Sequence, residues 1–547
     1  MKKIFFGSFL LVSSCFSASA QTTWDRVYTV IQTNCAACHT AGSPSGLDLS
    51  GSSSEVYANL YDAGPENAIS AAKGLKRVWP GDPYKSFLFT KINNELAIDV
   101  HLDTGEGEPC PQGGAMPLND KDIELVRQWI MYGAQDNDTL VDVDMIADFY
   151  DNGGIQSVPE PPAPPAPGTG FQIHFGPYFL WPEDEHEYFF QYDPMLSNDI
   201  EINRYDTYMG DYSHHFITYR FITPGIAATL PYGLHDGPDF FGVDLVSANQ
   251  YSDSLKLPQG TAFQWTAGTL LNLNSHYINY SPDKVLACEV YLNVYTQPFG
   301  TALQVMVPVL DSNGSFWVPN DGLPHTSEKA VFELGHGDDE LFVWAMSSHT
   351  HKYGADFNIY KRNPDGTKGE QVFDAACLAT NGAPGCLDEI YDYQHPPVRY
   401  WDEMLPVKWG EGVIYQTTWV NDGPESVGFG FTSDDEMSVM FFFFVDDTTG
   451  LNLQTTGVTD ILPENDLLIY PNPAEDVVYI QTGAADLNDH AISLFDMTGK
   501  QVAYRGFGEM GYTNTAKIET GALPAGVYML SLMNGDGSVV VKKVVIQ

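Results

Sequence analysis

Between residues 157 and 170 the chain reads SVPEPPAPPAPGTG, a run with no helical or strand period in which successive prolines fix φ and remove backbone donors. Such a segment can only be extended, so it predicts a stiff boundary over 151–170. The residues on its N-terminal side differ in kind from those on its C-terminal side. Asp120-Lys121-Asp122-Ile123-Glu124-Leu125-Val126-Arg127-Gln128-Trp129-Ile130 carries apolar residues at spacings of three and four behind an acidic start, which predicts a helix in a small helical module over 22–150. Beyond the prolines, Phe216–Phe221, Val290–Val294 and Met437–Val445 recur as strand-like runs punctuated by Gly, Pro and Asn. A chain of 547 residues exceeds one hydrophobic core. Its 50 Gly, 35 Pro, 30 Tyr and 31 Phe favour short strands and tight turns. The expected fold is therefore multidomain and mainly β: two packed β-sandwiches over 171–310 and 311–447, a polar link over 448–463, and a short-stranded sandwich of immunoglobulin-like kind over 464–547.

At the N-terminus, Lys2-Lys3, the apolar run Ile4–Val12 and Ala18-Ser19-Ala20 read as an export signal over 1–20. Val12-Ser13-Ser14-Cys15 leaves lipoprotein cleavage as an alternative. Nothing later approaches the ~20 consecutive apolar residues of a bilayer span. With 26 basic against 71 acidic side chains, the formal charge of −45 repels phosphate backbones, which speaks against nucleic acid as a partner.

Cys35-Ala36-Ala37-Cys38-His39 sets two thiols where they can form thioethers to haem vinyl groups, with the following imidazole placed to ligate the iron. Neither a second Cys pair nor a thioredoxin-like context favours a zinc or dithiol site. Met116, in the loop ahead of the helix from Asp120, is the expected distal ligand; His101 and Met131 compete, and Met131 reads as core. The strings CAACHTAGSPSGLDLSG, PGDPYKSFLFTKI and AMPLNDKDIELVRQWIMYGA resemble the c-type cytochrome domains of bacterial surface and periplasmic oxidoreductases.

In the β region, Ser213-His214-His215, Ser275-His276-Tyr277, His349-Thr350-His351 and Asp434-Asp435-Glu436-Met437 come in that order along the chain. Residues i and i+2 of a strand share a face, so His349 and His351 can grip one metal, and the Met437 thioether would complete a soft, imidazole-rich site suited to copper. His214 and His215 need a bulge or strand end before both can converge with His276.

This order of HH, single His, HxH and DEM resembles the copper type II, ascorbate-dependent monooxygenases that include the peptidylglycine α-hydroxylating and dopamine β-monooxygenases. The resemblance, over 171–447, implies two nested jelly-roll domains, each holding one of two copper ions across an open cleft. It implies that His214, His215 and His276 bind the electron-supplying copper. It implies that His349, His351 and Met437 form the catalytic site, where dioxygen is used to hydroxylate a substrate C–H bond. A small-molecule or peptide-like substrate, dioxygen and an external electron donor would be the partners, with haem c, held by Cys35, Cys38, His39 and Met116, as relay. The chain departs from the peptide hydroxylase at Ser347 and Phe441, where that enzyme has an Arg and a Tyr that hold the peptide carboxylate, and at Ser438, where it has a Cys. A glycine-extended peptide is thus not the expected substrate. A copper- and haem-containing electron-transfer protein without hydroxylation, and a surface binding protein, are the alternative classes.

Cys110, Cys288, Cys377 and Cys386 allow three pairings, of which Cys377–Cys386 closes most easily around Asn381–Gly385. In the last unit, LLIYPNPAEDVVYIQ, ISLFDMTGKQV and LPAGVYMLSLMNGDGSVVVKKVVIQ read as strands and turns. The Tyr470-Pro471-Asn472-Pro473 start, Gly526-Val527-Tyr528 and Lys542-Lys543 resemble the C-terminal sorting domains of type IX secretion cargo. That implies contact with the secretion machinery and a secreted or surface-held product.

Overall fold

The computed structural model describes residues 21–547 except 44, 113–115, 211, 223, 238–241, 250–251, 333–338, 377–392, 394–395, 431–433, 452–466, 475–476, 483–489, 497–499, 507–514 and 535–538. The expected export signal, Cys15, Cys377 and Cys386 lie outside the described residues. The chain is mainly β, in several sheets behind a helical N-terminal part. No helix among the described residues is long and apolar enough to cross a membrane.

Helices start where capping residues satisfy their first amides. Thr22 and Asp25 form a capping box at Thr23–Asn34, Asn119 accepts from Asp122 N ahead of Asp120–Met131, and Asp142 caps Val143–Asn152, which Gly153 ends at φ +71°. Trp24, Val27, Ile31, Val56, Leu60, Phe89, Val126 and Trp129 form the core between the helices.

Two sandwiches come next, and they share one strand order. In the first, Gly170–Leu180, Leu286–Gln297, Ile200–Met209 and the pair Asp253–Lys256 and Thr261–Trp265 make one sheet. Glu185–Tyr192, Leu271–Ile278, Ser213–Phe221 and Val243–Asn249 make the other. In the second, Val307–Ser312, Val439–Val445, Glu340–His349 and Arg399–Lys408 face Pro324–Val331, Val413–Val420, Gly354–Arg362 and Lys368–Asp374. With the pair counted as one strand and the two-residue strands left out, both units run 1-8-3-6 in one sheet and 2-7-4-5 in the other. The division falls before Val307, a few residues earlier than the expected 310. The last unit, from Leu467, pairs two further sheets around Val478, Ile480, Leu494, Leu530 and Val544.

The proline segment does not act as a free spacer. Ile155–Gln156 pairs in parallel with Leu286–Ala287, Gln172 Nε2 donates to Pro162 O at 3.0 Å, and Asn293 Nδ2 donates to Ala163 O at 3.0 Å. The stiff, donor-poor strand is strapped along a sheet whose side-chain amides supply the missing hydrogen bonds. The helical module likewise shares its core with the first sandwich: Phe149 packs on Phe179 at 4.9 Å, and Gln128 Nε2 donates to Pro177 O at 2.6 Å. At their junction, Gly133 (φ +98°) and Gly233 (φ +86°) approach so closely that a Cβ on Gly233 would lie 2.4 Å from Gly133 N.

Glu201 anchors the far end of the first sandwich. Its buried carboxylate accepts from Gly300 N at 2.9 Å, Thr301 N at 3.1 Å, Ala302 N at 2.8 Å and Gln297 Nε2 at 3.1 Å. Burial pushes this carboxyl up, but the hydrogen bonds from Gln297, Ala302 and Gly300 outweigh it and hold the group at about 2, against an ordinary 4.5. The ionised form is therefore the native one, and its contribution is full above the unfolded value of 4.5 and is lost as pH falls toward 2. Glu201→Gln should cost at least about 2 kcal/mol in denaturant titrations at neutral pH. The gap between variant and parent should shrink below pH 4.5; a gap that stays constant with pH would refute the ionised clamp.

Candidate metal centre

The histidines converge because each sandwich turns one sheet toward the other. Strand Ser213–Phe221 pairs with Leu271–Ile278, His215 standing opposite His276, and the register shifts between Ser213 and His215. That irregularity at the strand start breaks the alternation, so adjacent His214 and His215 both reach His276, with ring centroids at 4.8 and 5.0 Å. On the second sandwich, strand Glu340–His349 ends at His349, opposite Val439, and His351 lies just past the strand end, its ring 5.2 Å from that of His349. The pair meets through this strand end rather than along a continuous strand.

The expected open cleft between two histidine sets is not what forms. His349 lies 5.9 Å from His214 and 5.8 Å from His215, and His351 lies 6.1 Å from His214, ring to ring. All five rings are buried in one cluster. Phe189, Tyr219, Leu245, Leu310 and Phe441 join the two facing sheets in one apolar patch and close the gap. The donor atoms also sort differently from the expected sets. His214, His349 and His351 offer ligand atoms within 4.8 Å of one another, and so do His215, His276 and Glu187. Met437, 8% exposed, lies two residues before the partner of His349.

Three carboxylates absent from the expected site hold it in shape. Glu185 and Glu187, on the strand paired with that of His276, alternate onto the same face; Glu185 Oε1 lies 2.7 Å from His276 Nε2. Glu436 is fully buried and accepts from His351 N at 3.0 Å, Tyr353 N at 2.6 Å, Met437 N at 3.2 Å and Trp419 Nε1 at 2.9 Å. One side chain thus ties the HxH turn to the methionine segment. Glu185 and Glu187 read in sequence as a solvated face; their role depends on strand register, which the sequence does not display.

Burial first, and the neighbouring imidazoles second, push His215 and His349 well below the ordinary histidine value, and His351 down to about 4. These imidazoles are neutral at pH 7, the form that binds metals. Burial pushes Glu187 up and Glu436 up to about 7, in the latter case against three backbone N–H donors. His351 Nδ1 lies 3.3 Å from Asp435 O, which leaves Nε2 for an ion; that atom and His215 Nδ1 are buried with no hydrogen-bond partner among the described residues. The residues present therefore fit one or two transition-metal ions. A cavity of about 90 Å³ opens between the sandwiches against His215 and His349, walled by Ile217, Leu255, Phe441 and Phe443, with Ser347 on its rim.

In the helical module, Cys35 directly succeeds helix Thr23–Asn34, and Leu49 N donates to His39 O at 2.8 Å. His39 Nδ1 lies 3.0 Å from Ser45 Oγ, which leaves Nε2 for iron, so the CxxCH residues fit a haem c. Burial, then the neighbouring Cys110 and Cys38, push the Cys35 thiol up to about 11. Met116 is 86% exposed, His101 is exposed, and Met131 is core at 2%. Cys288 is a buried free thiol in the core of the first sandwich, whereas Cys35 packs on the helical core.

No curated protein matches the chain. Among solved structures, CopC from Methylosinus trichosporium OB3b is 18% identical over 15% of this chain and 90% of its own, at a TM-score of 0.12. The major capsid protein P2 from bacteriophage PM2 is 8% identical over 50% of this chain and 97% of its own, at 0.23. A peptide-N(4)-(N-acetyl-β-D-glucosaminyl) asparagine amidase is 11% identical over 51% and 97%, at 0.22. Residues 468–547 match the secretion system C-terminal sorting domain family, so this chain carries a type IX sorting tail that directs it to the cell surface or the medium.

Proposed function

We propose that the chain is a secreted, copper-dependent monooxygenase whose metal centre is the histidine and methionine cluster between the two sandwiches, with a haem c in the helical module. The observation that carries this reading is the convergence of five buried imidazoles from two sandwiches. Apolar packing gives no reason for it, and a buried polar atom left without a partner costs about 1–3 kcal/mol. An ion held by His351 Nε2 would offset that cost there. The shared strand order, 1-8-3-6 against 2-7-4-5, supports the paired jelly rolls that the resemblance implies.

With copper bound, the centre supplies the dioxygen chemistry that inserts one oxygen atom into a substrate C–H bond and releases the other as water. The chain's own residues do the positioning. The cavity walls Ile217, Leu255, Phe441 and Phe443 would hold an apolar substrate against His215 and His349, and no Lys or Arg lines the cavity among the described residues. A substrate carboxylate would find no counter-ion there, in keeping with Ser347 and Phe441 at the positions where the peptide hydroxylase holds one. With Asp253 also on the lining, small uncharged or apolar compounds fit better than carboxylates. A packed aromatic series joins the helical module to the core of the first sandwich: Tyr132 Oη lies 3.2 Å from Tyr188 Oη, Tyr188 packs on Tyr178 at 4.9 Å, and Tyr178 on Tyr277 at 6.1 Å. Electrons would come from an external donor, with the helical module as relay.

The closeness of the five rings favours one alternative, an electron-transfer or copper-handling protein that does not hydroxylate. Dioxygen uptake separates the two. The secreted protein should hold two coppers and one haem c per chain, and His349→Ala or Met437→Ala should each lose or loosen about one copper and abolish substrate-dependent oxygen uptake. Haem without copper in the parent protein would end the hydroxylation reading. Separately, Glu436→Ala strands three backbone amides and an indole N–H, and should lower stability by more than about 2 kcal/mol and weaken copper retention. Trp419→Phe, which removes only the indole donor, should cost about 1 kcal/mol in the same denaturation assay.

A further inference from the structure

We infer that Glu187, His215 and His276 form a second, mixed carboxylate–imidazole site that takes a divalent first-row metal ion, distinct in chemistry from the His214, His349 and His351 set beside it. This deepens the reading of the cluster as a metal centre and rests on it, but it departs from the all-histidine site that the resemblance implies.

The geometry is that of ligands around one point. His276 Nδ1 and His215 Nε2 lie 3.3 Å apart, and Glu187 Oε1 lies 3.6 Å from the same His215 Nε2. Tetrahedral ligands at about 2.0–2.1 Å from an ion are separated by about 3.3–3.4 Å. A direct imidazole–imidazole hydrogen bond would be long at that distance. It would also leave Glu187 nearly buried, with a side-chain exposure of 11%, beside groups that do not neutralise it.

The surroundings are those of an outer ligand shell. Glu185 Oε1 lies 2.7 Å from His276 Nε2, so Nε2 carries the proton and Nδ1 presents its lone pair to the site. This is the carboxylate–histidine–metal arrangement that fixes tautomer and ring orientation. Asn274 Nδ2 donates to Glu187 Oε1 at 2.9 Å and holds that carboxylate in place. Both carboxylates come from one strand, Glu185–Tyr192, and both meet the ligand strand Leu271–Ile278 in register, Glu187 directly opposite His276. One carboxylate with two imidazoles suits divalent zinc, copper or iron, whereas a set with a thioether suits cuprous copper.

The test uses the full-length secreted protein, stripped with chelator and titrated with Zn(II) alone while bound zinc is counted by elemental analysis. His349→Ala removes the neighbouring set and should still bind one Zn(II). Adding Glu187→Gln to that variant should weaken the remaining site at least tenfold, and adding Glu185→Gln instead should weaken it about 10–100-fold with the count kept at one. Thermal melting of each metal-free variant checks the fold, and Glu185→Gln, which touches no proposed ligand atom, keeps the test decisive if Glu187→Gln is unstable. Equal zinc affinity and count with and without Glu187 would overturn this site while leaving copper at the other set intact. Failure of the parent protein to bind either metal would instead overturn the whole metal-centre reading.

Discussion

The contact between two sheets, one from each sandwich, is the constraint on which the candidate site depends. Packed sheets stand about 10 Å apart, so side chains from facing strands meet midway and must be apolar or mutually satisfied. Here Phe189, Tyr219 and Leu245 pack on Leu310 and Phe441. Beside that apolar seam, His214, His215 and His276 from one face meet His349 and His351 from the other. The same desolvation that makes the seam cohesive holds His215, His349 and His351 neutral. A compact group of buried imidazoles is costly for a fold unless something uses their polar atoms.

Much of this organisation was legible in the chain itself. Periodicity separated the helical from the strand-forming part, the Gly, Pro and Asn punctuation marked the strands, and the Tyr470–Pro473 and Gly526–Tyr528 segments pointed to the sorting tail. The two-residue period also demanded an irregularity at Ser213–His215, and the register shift is there. What could not be read is anything that depends on the relation between elements distant in sequence. Glu185 and Glu187 look like surface charge until the pairing of Glu187 with His276 is known. Glu436 is one of three consecutive acids, and only its four hydrogen bonds distinguish it from Asp434, whose carboxylate pairs with Lys352 at the surface. The proline run misleads for the same reason: its local stiffness is real, but side-chain amides of the neighbouring sheet bind it down.

That strapping changes how the helical module relates to the β region. A proline spacer alone would leave the module at a variable distance from the sandwiches. Instead Tyr84 Oη donates to Gly176 O at 2.6 Å, and Leu234 N donates to Met131 O at 2.9 Å. His174 sits between Tyr84 and Tyr291, with ring centroids at 4.0 Å on each side, and its ring nitrogens lie 2.9 Å from Asp99 and 2.6 Å from Glu289. Buried polar contacts of this kind demand one geometry, since each unpaired group would carry its full desolvation penalty. The module is thus fixed against the first sandwich, and any electron exchange between a haem there and metal at the histidine cluster would proceed over a constant separation.

The cluster's donors also differ in hardness on its two sides, and that asymmetry bears on division of labour. A set of three imidazoles tolerates the loss of charge that accompanies reduction, because imidazole is not anionic. A carboxylate opposes that change: Glu187 in a buried site favours the more highly charged ion, since reduction would leave its own charge less compensated. Two ions a few ångströms apart in unlike ligand fields would therefore differ in redox poise, and the anionic side would be the harder to reduce. The cavity touches both sides, at His215 and at His349, so a substrate lying in it would face the two fields together.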